Sequence, residues 1–127
     1  MSEHALFLSN DMMGASQVQS VARQAQIALE TVGSADSLVA IAGKQSPAMV
    51  ILDLAADDIT LAELGALIER LREAVPTTKI VAFGPHVWEA KLSAARNAGC
   101  DAVLTRGQFH SGIADLLNGN TGPADSD

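Results

Sequence analysis

Val50-Ile51-Leu52-Asp53 is the stretch on which the fold turns. Three bulky apolar residues in a row leave no polar face, so the run reads as a strand buried on both sides. A carboxylate closes it. Working outward, short apolar runs recur at Ala5–Leu8, Ile27–Val32, Met49–Leu52, Ile80–Phe83 and Ala102–Leu104. Longer stretches with helical spacing separate them. Thr60-Leu-Ala-Glu63 has the form of a capping box, and Leu61, Leu64, Ile68 and Leu71 follow on one helical face up to Pro76. Ser34 stands where it can cap a helix carrying Leu38, Val39, Ile41 and Ala42. Val87 to Ala98 reads as a helix closed by Gly99. Residues 12–25 and 108–117 complete the set.

Strand and helix therefore alternate five times. This order predicts an α/β fold: a parallel sheet with helices on both faces. Right-handed crossovers leave few topologies, and five strands favour the flavodoxin-like order 2-1-3-4-5, a three-layer αβα sandwich. Sites in such sheets lie at the carboxyl ends of the strands. The loops to read are Ser9–Met13, Asp53–Thr60, Gly84–Val87 and Thr105–Phe109.

Composition narrows the function. The 127 residues amount to one domain, with 15 acidic and 8 basic side chains and a net charge of −7. A pI near 4.7 offers no electropositive footprint for nucleic acid and no polybasic patch for a membrane surface. No apolar run reaches the ~20 residues of a membrane helix. Met1-Ser2-Glu3-His4 lacks the pattern of a signal peptide. Cys100 is the only cysteine, which excludes an internal disulfide and a cysteine zinc site. The expected location is the cytoplasm. Aromatics are scarce, with three Phe, one Trp and no Tyr, whereas Ala occurs 22 times, so the expected core is aliphatic and close-packed. Residues 118–127 are polar and rich in breakers and read as a flexible tail.

With Asp53 at the end of the third strand, the Ala98-Gly-Cys-Asp-Ala-Val-Leu104 approach to the fifth and Arg106 just after it, residues 4–117 resemble the CheY-like receiver domain of response regulators. The resemblance implies a phosphoacceptor at Asp53, charged by a histidine kinase. It implies a Mg²⁺ ion held by an acidic pair after the first strand, a hydroxyl after the fourth and a Lys after the fifth. Ser9 and Asn10, or Asn10 and Asp11, occupy the acidic-pair positions. Phe83, followed by Gly84, stands at the hydroxyl position, Arg106 at the Lys position, and Val103 at the aromatic switch position. Arg is longer and planar and is no conservative exchange for Lys. The family's Pro positions carry Asp57 and Gly107. These departures give the reading of a degenerate or pseudo-receiver that acts by protein–protein interaction, without an effector domain. The alternatives are an ordinary regulator phosphorylated on Asp53, and a small-molecule sensor using the same crevice.

Each site residue has two readings. Asp53 is a phosphoacceptor, or a polar stop paired with Arg106. Asp11, Asp53 and Asp57, with Asp58, form a divalent-cation site, or Asp57 and Asp58 simply favour a helix N-terminus. His4, His86 and His110 have no partner at ligand spacing. Cys100 reads as a buried filler. No glycine-rich nucleotide loop, nucleophile elbow or catalytic triad is present, so turnover is not expected. On the fourth helix, Val87, Ala90, Ala94 and Ala98 form a small-residue stripe suited to the sheet. Trp88 and Leu92 would then be left outward on the face formed by the fourth helix, fifth strand and fifth helix. The resemblance makes that face a surface for a homodimer or a protein partner.

Overall fold

The computed structural model describes residues 4–117. The expected tail, 118–127, and the first three residues lie outside that range. Five strands form one parallel sheet: β1 (His4–Leu8), β2 (Ala28–Val32), β3 (Met49–Asp53), β4 (Lys79–Gly84) and β5 (Ala102–Thr105). Their order is 2-1-3-4-5. The helices are α1 (Met12–Gln24), α2 (Ala35–Gln45), α3 (Leu64–Ala74), α4 (Glu89–Ala98), α5 (Arg106–Ser111) and α6 (Ile113–Leu117). None of them is long and apolar enough to cross a membrane.

Period-two alternation divides the core into two layers. Leu6, Leu8, Val50, Leu52, Ile80 and Ala82 point to one face and meet Leu38, Leu64, Ile68, Leu71, Leu92 and Ala95. Ala5, Phe7, Met49, Ile51, Val81 and Phe83 point to the other and meet Val18, Ala22, Phe109, Ile113 and Leu116. Every residue of β3 is buried, because helices cover both its faces. The amino edge of the sheet is fastened by Arg72. Its guanidinium donates to the Thr78 and Gly99 carbonyls and to Asp101, which also accepts from the Ile80 amide. Gly99 closes α4 at φ 103°, a left-handed cap that disfavours a side chain.

Three local expectations need correction. Thr60 does accept from the Glu63 amide, but residues 61–63 remain a turn and α3 begins at Leu64. Leu61 is therefore thrown outward, 52% exposed, and Leu67 supplies the extra core contact. The last helix is broken into two at Gly112, and it starts earlier than expected. Thr105-x-x-Gln108 forms a complete capping box there, a signal present in the sequence. Around α4 the expectation fails for Leu92. Leu92, 5% exposed, and Ala95 are buried in the core, Ala94 and Ala98 of the small-residue stripe are half-buried against it, Val87 and Ala90 face solvent, and Trp88 stays outward as expected. The larger side chain removes more apolar area from water, and this outweighs the closer approach that alanines allow.

Candidate functional site

The carboxyl ends of β1, β3 and β4 converge on Asp53. Its carboxylate is buried, 4% exposed, and both oxygens are engaged. Oδ2 accepts from the Ser9 hydroxyl at 3.1 Å, and Oδ1 accepts from the Ala55 amide at 2.9 Å. Ser9 Oγ in turn accepts from the Asp11 amide. One carboxylate thus fixes the turn out of β3 and, through Ser9, the turn out of β1.

Beside it, Phe83 is the register partner of Asp53. Its ring stacks on Phe109 at 3.9 Å between centroids, 3° from parallel, and Phe7 leans on both. His110 meets the two stacked rings edge-on. Its Nδ1 is buried without a hydrogen-bond partner. Phe7, Phe83 and His110, with Asp11, Met13, Gln17 and Arg106, line a cleft of about 480 Å³ beside Asp53.

Arg106 shares that cleft but forms no ion pair with Asp53, whose oxygens accept from the Ser9 hydroxyl and the Ala55 amide. It is exposed in the first turn of α5. Of the two readings of Asp53, the one that pairs it with Arg106 is not realised: its oxygens accept from the Ser9 hydroxyl and the Ala55 amide.

The carboxylates do not converge either. Among the described residues no three acidic, His or Cys side chains form a group that holds a metal ion. Asp57 lies outside the cleft, its amide tied to the Asn10 side chain at 2.7 Å. Asn10 also donates to the Gly33 carbonyl, so it joins three loops instead of binding an ion. Asp11 folds its carboxylate over the first turn of α1, where a Cβ on Gly14 would lie only 2.8 Å from it. Asp58 serves a helix, as its second reading required, but a distant one: it accepts from the Ala35 amide at the start of α2. Asp11 and Asp53 are the two carboxylates that line the cleft, and both oxygens of Asp53 already accept hydrogen bonds there.

Val103 is half-buried against the core. A Cβ at Gly84 would lie 3.3 Å from the Leu54 side chain, so a larger residue there requires Leu54 to give way slightly. Cys100 is a filler as expected: burial pushes its thiol up to about 12, against the opposing charge of Arg72. Sequence reasoning missed Lys91. Its ammonium donates to the Leu54 and Ile59 carbonyls and lies 5.0 Å from the Trp88 ring. Nothing in the local pattern marks it, because both its acceptors are backbone groups some thirty residues away.

Solved structures of similar fold complete the comparison. A putative response regulator from Chloroflexus aurantiacus is 17% identical, with a TM-score of 0.80 over 95% of this chain and 98% of its own. The chain carries the CheY-like receiver fold. A CheY-like protein, TadZ, from Pseudomonas aeruginosa is 23% identical, with a TM-score of 0.74 over 92% of this chain and 98% of its own. The receiver domain of a sensor histidine kinase from the same organism, solved with magnesium in its active-site cleft, is 12% identical. Its TM-score is 0.78 over 93% of this chain and 96% of its own. Neither a family model nor a curated protein matches the sequence.

Proposed function

We propose that this receiver-like domain signals by binding another protein, and that Asp53 serves as a structural carboxylate instead of a phosphoacceptor. The observation that carries the reading is the Ser9–Asp53 hydrogen bond inside a buried site. Phosphoryl transfer to a carboxylate needs cationic groups to neutralise the charge that develops. Here a neutral hydroxyl faces Asp53, Phe83 offers no donor, and the Arg106 guanidinium forms no ion pair with it.

The test is incubation with acetyl phosphate, or with beryllofluoride, in the presence of Mg²⁺, read by intact mass and fluorine NMR. No adduct is expected. An adduct that disappears in Asp53→Asn would overturn the proposal and favour a regulator charged by a histidine kinase.

The cleft supports a second reading, a small-molecule sensor, because His110 and Arg106 line one cavity with the rings of Phe7 and Phe83. A ligand screen by thermal shift tests it, since binding to the folded state alone raises the melting temperature.

A further inference from the structure

The cleft beside Asp53 holds charges of both signs that do not meet. Arg106 lines it from the first turn of α5, four residues before His110, and Asp11 lines it from the start of α1. Among the described residues no ion pair or hydrogen bond joins the Arg106 guanidinium to Asp11 or Asp53. Asp11 occupies the N-cap position of α1, yet its carboxylate makes no cap hydrogen bond. Both side chains are exposed.

The remaining lining offers polar donors and an apolar wall. Met13, Gln17 and Ser20 follow one another at helical spacing, so α1 presents them on one face. Gln17 and Ser20 are exposed there. Phe7 and Phe83 contribute rings, and the Met13 thioether, 85% exposed, is flexible enough to fold over an apolar group.

The charges select the ligand. A simple anion on Arg106 would share the cavity with the carboxylates of Asp11 and Asp53, in a chain of net charge −7. A simple cation on Asp11 would share it with Arg106. A ligand that carries both signs gives each charge its partner and leaves none opposed. Asp53 makes no demand on it, since both its oxygens already accept hydrogen bonds.

We infer that the cleft binds a free α-amino acid with an apolar side chain, its carboxylate on Arg106, its ammonium on Asp11 and its side chain against Met13 and Phe83. The long, exposed stem of Arg106 lets the guanidinium swing to the spacing such a ligand sets. The inference rests on the reading of this cleft as a sensor site.

The probes are L-phenylalanine, hydrocinnamate, which lacks only the amine, and phenethylamine, which lacks only the carboxylate. Calorimetric titration of the full chain measures affinity, and amide NMR shifts locate the site. L-phenylalanine should bind and move the resonances of Met13, Gln17 and His110. Each truncated probe leaves one charge without its partner and should bind about tenfold more weakly or worse. Arg106→Gln and Asp11→Asn should each weaken L-phenylalanine by about the same factor, with the melting temperature of the free protein little changed because both positions are exposed. Arg96→Gln removes an exposed guanidinium from α4 and should bind as the parent does. Hydrocinnamate or phenethylamine binding as tightly as L-phenylalanine would overturn the inference. So would equal weakening in Arg96→Gln, shifts confined to other elements, or no binding of L-phenylalanine at millimolar concentration. A ligand of other chemistry that moves the cleft resonances while L-phenylalanine does not would overturn the inference and leave the sensor reading standing. A cleft that takes no ligand in the thermal-shift screen would overturn both.

Discussion

The Ser9 hydroxyl stands 3.1 Å from a carboxylate oxygen of Asp53, and the two side chains between them anchor the turns out of β1 and β3. Ser9→Ala removes the donor and leaves that oxygen buried without it. The expected cost is about 1–3 kcal/mol in urea unfolding. Ser9→Asp sets two carboxylates together in a buried site and should lower the melting temperature further. It also restores the missing acidic ligand. Mg²⁺ should therefore raise the melting temperature of Ser9→Asp and leave that of the parent unmoved.

Phe83→Ala should cost about 3–5 kcal/mol, the usual range for removing a buried ring. The loss falls on the stack with Phe109 and the contact with Phe7. Equilibrium unfolding measures it. A cost near zero would mean that Phe109 and Phe7 close over the gap.

Asp101 supplies the acid sensitivity of the amino edge. Burial raises its pKa, but the Ile80 amide, the Arg72 hydrogen bond, and the charges of Arg72 and Lys79 outweigh it, and the net shift is downward. A lowered folded pKa stabilises the protein above the unfolded value of about 3.9 and is lost as pH falls through the folded value. Asp101→Asn should thus be less stable at neutral pH and lose less on acidification. The carboxylate is partly exposed, so the effect is about 1 kcal/mol or less. Urea midpoints measured across the acid range decide it.

Lys91→Met keeps the aliphatic stem and removes the ammonium from the Leu54 and Ile59 carbonyls. The expected destabilisation is about 1–3 kcal/mol, and the emission of Trp88 should change because the cation beneath its ring is gone. Fluorescence and urea unfolding read the two effects on one sample.

The fold was legible because its signals are local and repeated. Five apolar runs, the Ser34 cap and the Gly99 stop each follow from neighbouring residues, and the element order restricts the topology. The site was legible only as positions. Asp53, Phe83 and Arg106 do stand at one edge, but whether Arg106 pairs with Asp53 depends on Ser9, which is 44 residues from Asp53 along the chain. The side of α4 that meets the sheet was misread for a similar reason. Leu92 and the alanines offer two stripes on one helix, and the balance between the area Leu92 buries and the close approach alanines allow is set by the elements it packs on, not by local sequence.

The face-to-face rings of Phe83 and Phe109 belong to different elements, the end of β4 and the middle of α5. They nevertheless form one heritable unit. Shrinking either ring alone strands the other beside a void, so the two positions should drift together among descendants of this gene. A hydroxyl at position 83 would take from Phe109 the ring it stacks on, so a companion change at 109 should ease its arrival.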